Sequence, residues 1–320
     1  MAGRAVARYF LLHHRLSLSA GGDRSVLGRL IAPRRTSSVA IIALIEILEP
    51  YQAREIDRGC AGIARQVIIG RDFHASLMPN LPTAILFDLD DTILAAFGQA
   101  ADQWQRVVAE FADRLEPHPP ADIVTAVQDY SRYLWADQAR HKHWRHRIGE
   151  ARRHIVENAL CGLATSAGRV APPLELCHAV ADRFQQIHEA ELRIFPGAHE
   201  TLDRLKKLGV KLALVTNGGA EAQRAKVVRF ALEHRFDHIQ IEGEHGFGKP
   251  EEQAYSHALA SLGVEARETW MVGDNLEWEV VAPQRLGIFA IWYDGYGLGL
   301  PPDSPIRPDR IIRSLPELLE

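Results

Sequence analysis

The run Ala84-Ile-Leu-Phe-Asp88-Leu-Asp90-Asp91-Thr92-Ile-Leu94 constrains this chain most, because an apolar stretch that reads as a buried strand ends abruptly in three carboxylates. Burial stabilises the apolar part of such a strand. The clustered acids at its C-terminal mouth repel one another unless a cation or a shared proton offsets their charge. Oxygen donors packed this closely suit a hard divalent metal, and Mg²⁺ is the ion expected.

The rest of the sequence supplies a scaffold for that strand. From Leu81 onward short apolar runs alternate with amphipathic helical stretches, the rhythm of a parallel sheet covered by helices. Further strands are predicted at Lys211–Thr216, His238–Ile241, Thr269–Val272, Gly287–Trp292 and Arg310–Ile312. Helices are predicted around Gly197–Leu208, Ala220–Glu233, Glu251–Leu262 and Glu277–Leu286. The fold class is therefore α/β, a doubly wound parallel sheet of Rossmann-like type. One segment breaks the rhythm. Residues 95–194 offer no convincing strand but several amphipathic helical patterns, interrupted by Pro117, Pro119, Pro120, Pro172 and Pro173. An insert directly after the first strand lies over the C-terminal edge of the sheet, where open α/β folds bind ligands, so it reads as an α-helical cap.

Composition bounds the rest. A 320-residue chain that is 47% hydrophobic has the make-up of a globular protein with a sizeable core. Its 37 basic and 41 acidic residues give a net charge of -4, which argues against a nucleic acid polymer or an anionic membrane as partner. The apolar stretch Val39–Leu48, with Glu46 inside it, is shorter than the roughly 20 residues a bilayer-spanning helix needs, so no membrane anchor is expected. Cys60, Cys161 and Cys177 are odd in number and widely spaced, which fits reduced thiols in a cytoplasmic protein. Residues 1–35 carry seven arginines (Arg4, Arg8, Arg15, Arg24, Arg29, Arg34 and Arg35) against the single acid Asp23, a bias shared with organellar targeting peptides. The preferred reading is an N-terminal extension over 1–80, poorly ordered or preceding a natural start near Met78, followed by a core (81–94 and 195–320) interrupted by the cap (95–194).

Four segments bring polar residues to strand ends or helix starts, and in a parallel sheet those ends converge. They are Asp88-x-Asp90-x-Thr92, then Thr216-Asn217-Gly218-Gly219, then Gly246-Phe-Gly-Lys249-Pro250, and last Gly273-Asp274-Asn275-Leu-Glu277-Trp-Glu279. In this order they resemble the four motifs of the haloacid dehalogenase (HAD) superfamily, in particular its phosphatase branch with a helical cap after the first motif. The resemblance covers Leu81 to the C-terminus. It implies a Mg²⁺-dependent phosphomonoester hydrolase of a small phosphorylated metabolite, with sugar phosphates and nucleoside monophosphates the main candidates. Asp88 would be the nucleophile, forming an aspartyl-phosphate, and Asp90 the general acid and base. Thr216, Asn217, Gly218 and Lys249 would bind the phosphoryl group. The metal would take the Asp88 carboxylate, the Asp90 backbone carbonyl and the Asp274 carboxylate. Where the family usually has a second aspartate, five residues after Asp274, this chain has Glu279, one methylene longer and a possible support for Asp274 or the metal. Asp91, Asn275 and Glu277 read equally well as bland residues, caps or solvated side chains, and as functional ones.

Three alternatives stay open. A phosphomutase would need the cap to hold a bisphosphate and exclude water. A non-catalytic phospholigand-binding regulator would need neither Asp88 nor Asp90. Carbon–halogen hydrolysis suits the residues less, since the family's dehalogenases lack the acid/base aspartate. Within the cap, the basic run Arg140–Arg147, with Arg152, Arg153 and His154, reads first as a solvated helix face and second as a wall that binds an anionic part of the substrate. Trp104, Trp135 and Trp144 read as cap packing.

Overall fold

The computed structural model describes residues 81–320. The expectations placed on residues 1–80, Cys60 among them, lie outside the described residues. In chain order the strands are β1 (Ala84–Phe87), β2 (Leu94–Ala95), β3 (Arg193–Ile194), β4 (Lys211–Thr216), β5 (His238–Ile241), β6 (Thr269–Gly273), β7 (Phe289–Tyr293) and β8 (Arg310–Ile312). Six of them form one parallel sheet in the order β5-β4-β1-β6-β7-β8, with β1 between β4 and β6.

β1 is buried on both faces, as a strand read from an unbroken apolar run must be. Its alternate residues serve two cores. Ile85 and Phe87 join Leu202, Leu205 and Val227 on one side, and Ala84 and Leu86 join Tyr255, Ala258 and Leu262 on the other. Those partners lie on the helices Ala198–Lys207, Ala220–Arg229 and Glu252–Leu262, so the sheet is sandwiched between helical layers. The register Phe87↔Leu214 and Phe87↔Val272 ends β1 level with its two neighbours, which brings Asp88, Thr216 and Asp274 to one edge.

The helix expected at Glu277–Leu286 is instead a π-helical turn, Leu276–Val281, followed by a short α-helix, Ala282–Arg285. The wider turn tucks Glu279 into the interior, and a Cβ on Gly273 would lie 2.1 Å from Glu279 Cγ, so only glycine fits there.

Between β2 and β3 stand the helices Ala100–Glu110, Pro120–Ala136, Gln138–Trp144, Ile148–Ser166 and Leu174–Glu191. The prolines act as start signals: Pro120 opens its helix and Pro173 caps the next but two. The bundle has its own core, in which Val127, Ile155, Val156, Leu160, Val180 and Phe184 are buried and Trp104 stacks on Phe184 with ring centroids 3.9 Å apart. The insert does contain strand, contrary to expectation. Leu94 pairs with Ile194 and Ala95 with Arg193, an antiparallel pair through which the chain leaves the core and returns; two residues a side are too few for a period-2 signal. Among the described residues no helix is long and apolar enough to cross a membrane.

Candidate active site

The C-terminal edge of the sheet forms the floor of a cavity of about 450 Å³, roofed by the helical insert. Asp88, Asp90, Thr216, Asn217, Gly218, Asp274 and Glu279 all line it. Lys249 reaches the same place from beneath. Its ammonium is completely buried, 2.5 Å from Asp88 Oδ1 and 2.7 Å from Glu279 Oε1. Burial opposes the charge on Lys249, but the Asp88 and Glu279 carboxylates outweigh it and raise its affinity for the proton. Burial also raises Asp88 from the ordinary carboxylate range, against the pull of Lys249. Asp274 is pushed up to about 9 by burial and by its acidic neighbours Glu279, Asp88 and Asp91.

Glu279 is therefore tied to Lys249 directly. Its second oxygen accepts the Asn275 amide at 2.8 Å, fixing the carboxylate within the π-turn. Asn275 caps that turn by accepting from the Glu277 and Trp278 amides, while Glu277 is half exposed. Asp91 accepts the amides of Ala96 and Phe97 and the Tyr296 hydroxyl, and so holds the exit toward the cap.

Asp90 has partners that sequence reasoning missed. Lys226 Nζ lies 2.7 and 2.8 Å from its two oxygens, and Gln223 Nε2 donates to it at 3.0 Å. Burial works against the charge on Asp90, yet Lys226 and Gln223 prevail and hold it below the usual range. The same Gln223 nitrogen lies 2.7 Å from Thr216 Oγ1 and 2.9 Å from the Asn217 carbonyl, sharing its two N–H groups among three acceptors and linking two of the sequence motifs.

The expected phosphate cradle is more occupied than its sequence suggests. Asn217 uses its side chain as a bracket, donating to the Lys249 carbonyl at 2.7 Å and accepting the Lys249 amide at 2.8 Å. The Gly218 amide, at φ 117°, donates to Glu242 Oε2 at 3.1 Å. Glu242, another residue without a sequence signal, is almost fully buried and also pairs with Arg145 and, at 3.3 Å, with His146. A donor suited to an anion is thus filled by a carboxylate of the chain itself.

The basic run divides. Lys142, Arg147 and Arg153 are exposed, as a solvated face requires. Arg152 is buried, the Arg145 side chain is 8% exposed, and both line the cavity with His141 and His146, so the solvated reading fails for them. The reason is packing: the Gln138–Trp144 helix sets His141 edge-on to Trp278, and Arg145 lies over the same ring. Arg152 has no carboxylate within ion-pair distance among the described residues, and burial lowers it to about 10. Near it, burial followed by the charges of Arg152 and Lys226 pulls His188 down to about 4, so that this imidazole is neutral at pH 7.

A family model described as haloacid dehalogenase-like hydrolase matches residues 82–287, which include all four polar segments. The chain belongs to the haloacid dehalogenase-like hydrolases. It is 35% identical over 152 residues to a phosphoserine phosphatase of Thermus thermophilus, covering 45% of this chain and 60% of that protein. It is 34% identical over 131 residues to a glyceraldehyde 3-phosphate phosphatase of Pyrococcus furiosus, covering 40% and 54% respectively. Thus the chain spans somewhat over half the length of these two relatives. Its fold is shared by the HAD-hydrolase YfnB of Bacillus subtilis, whose structure was solved bound to magnesium, with a TM-score of 0.55, 24% identity, and coverage of 74% of this chain and 97% of that one.

Proposed function

We propose that this HAD-like hydrolase is a Mg²⁺-dependent phosphatase that hydrolyses a small phosphorylated metabolite bearing a second anionic group, with Asp88 as nucleophile. The observation that carries this reading is the Asp88–Lys249–Glu279 assembly beside Asp274 at the cavity floor. A carboxylate held against a buried ammonium is oriented, and the ammonium favours its ionised form against the effect of burial, as a nucleophile needs. The phosphatase activity of the Thermus and Pyrococcus relatives supports the same chemistry.

The residues fit the metal. Asp88, Asp274 and Glu279 offer oxygen donors and carry more negative charge than Lys249 offsets, and the raised Asp274 expresses that imbalance. A hard divalent cation corrects it, and oxygen-only donors suit Mg²⁺. Asp88 and Asp274 would hold it, with Glu279 braced behind them through Lys249. When bound, Mg²⁺ supplies charge neutralisation for the phosphoryl oxygens.

In the first step an Asp88 oxygen bonds to phosphorus, the bond from phosphorus to the leaving oxygen breaks, and a proton passes from Asp90 to that oxygen. In the second, water attacks phosphorus, its proton passes to Asp90, and the Asp88–phosphorus bond breaks to release inorganic phosphate. Lys226 and Gln223 keep Asp90 aimed and ionised for the second step. A bound phosphoryl dianion beside Asp90 raises its proton affinity and so prepares the first. The Thr216 hydroxyl and Lys249 support the phosphoryl oxygens.

Arg152 supports the second anion. A buried guanidinium without a carboxylate partner, facing the substrate cavity, matches a carboxylate or further phosphate on the leaving group. Phosphoserine, named for the Thermus relative, carries such a carboxylate. The test is phosphate release from a panel of phosphorylated metabolites with and without Mg²⁺. Release that requires the metal, disappears in Asp88→Asn and favours doubly anionic substrates supports the reading; a folded parent that releases no phosphate from any of them defeats it.

A further inference from the structure

Away from the catalytic cavity, three imidazoles meet at the edge strand of the sheet. His238 begins β5, His245 ends the short helix Glu242–His245, and His257 lies in the Glu252–Leu262 helix. One ring nitrogen of each lies within 4.8 Å of one from each of the others, and all three rings are half-buried. None of them lines the cavity at Asp88.

Their hydrogen bonds decide which nitrogens are free. His245 Nδ1 lies 3.1 Å from the Ile241 carbonyl, which can only accept, so Nδ1 carries the proton and Nε2 the lone pair. The Gln240 amide donates to the Ala254 carbonyl at 2.8 Å, which turns its oxygen toward His257 Nδ1, also at 2.8 Å. Thus His257 likewise presents Nε2 as an acceptor. His238 Nε2 is buried with no hydrogen-bond partner among the described residues. Phe247 walls the group, with ring centroids 5.8 Å from His245 and 5.4 Å from His257. Simple ring packing accounts for the edge-on contacts, but not for two neighbouring imidazoles whose Nδ1–H groups are each held by an acceptor beside a third whose Nε2 is buried without a partner among the described residues.

We propose that His238, His245 and His257 form a transition-metal site for a borderline divalent ion of the Zn²⁺ class, with solvent in the fourth position. Imidazole donors select such an ion over Mg²⁺, and a backbone carbonyl or side-chain amide holding the far nitrogen is the usual support for a ligating histidine. The ligands come from three successive elements that bracket Glu242 and Lys249, so an ion here would pin the segment that carries both.

The full chain, stripped with chelator, would be titrated calorimetrically with Zn²⁺ in excess Mg²⁺, beside the variant His245→Asn/His257→Gln. Expected is one equivalent more for the parent than for the variant. With Co²⁺ in place of Zn²⁺, the strong visible bands of tetrahedral coordination would appear in the parent alone. Equal stoichiometry in a folded variant, or no Zn²⁺ uptake by the parent, overturns the proposal. If the variant fails to fold, X-ray absorption of the Zn²⁺-loaded parent decides instead. A shell dominated by imidazole nitrogens at about 2.0 Å supports the site, and one dominated by sulfur or carboxylate oxygen overturns it.

Discussion

On the core wall of the cavity Asp88 and Glu279 share Lys249, and Asp90 takes Lys226 and Gln223; on the cap wall Arg152 has no acidic partner among the described residues, and Arg145 reaches across to Glu242 of the core. The core wall is a tightly bonded network in which Asp274 has no ion-pair partner among the described residues. The cap wall keeps a cation available for something that arrives. The difference separates chemistry, which needs fixed geometry, from recognition, which needs an unfilled valence.

Breaking the core wall should have the largest effects. Asp88→Asn is expected to lower kcat by about 10⁴-fold or more, since one member of a concerted catalytic set removes most of its effect. Phosphate-release kinetics read this directly, and a folded variant with turnover within tenfold of the parent would assign the nucleophile elsewhere. Lys249→Met leaves Asp88 and Glu279 facing each other without a cation. It is expected to cost roughly 3–5 kcal/mol in denaturant unfolding, the usual penalty for removing one partner of a buried pair. A loss below about 1 kcal/mol, the size typical of an exposed pair, would show that the core wall is not a tightly coupled unit.

The cap wall can be sharpened by pH. His188 titrates near 4 in the folded chain and near 6.5 when unfolded, so between those values the unfolded chain binds the extra proton. Its contribution to stability is fully present above pH 6.5 and is lost as pH falls toward 4, by about 3 kcal/mol. The stability of the parent relative to His188→Asn should rise by about 3 kcal/mol from pH 4 to above 6.5; parallel curves would refute a neutral buried imidazole. Arg152→Gln is expected to raise KM by roughly 10–100-fold for substrates with a second anion, with kcat little changed, as suits a charged hydrogen bond of about 1.5–3 kcal/mol. An equal rise for singly anionic substrates would make Arg152 part of the phosphoryl site instead. The smallest effect belongs to Lys142→Ala, which removes the exposed pair with Glu251 and is expected to shift stability by less than about 1 kcal/mol.

The same two walls differ in how far the sequence exposes them. Asp88, Asp90, Thr216, Lys249 and Asp274 stand where apolar strands stop, and a strand end is readable because its burial pattern ends there. Glu279 was visible as a departure, but not its bond to Lys249, which depends on the π-turn and on the bare Cα of Gly273. Gln223 and Lys226 sit inside an ordinary amphipathic helix, where a polar residue facing solvent and one facing a cavity look alike. Glu242, Arg145 and Arg152 become legible only once the cap is docked, because each finds its environment on a distant part of the chain. The three histidines share that difficulty: sequence separation hid a meeting that β5 and its two following helices create.

The insert leaves the core and re-enters it through residues paired one beside the other, Ala95 against Arg193 and Leu94 against Ile194. Paired strands in this arrangement hold their Cα atoms only about 5 Å apart. Seen from the sheet, an entire helical bundle therefore occupies no more backbone span than a tight hairpin. It is a cassette with a narrow doorway: its contents can be rewritten, enlarged or exchanged while β1 and Asp88 continue to meet the same two-residue frame.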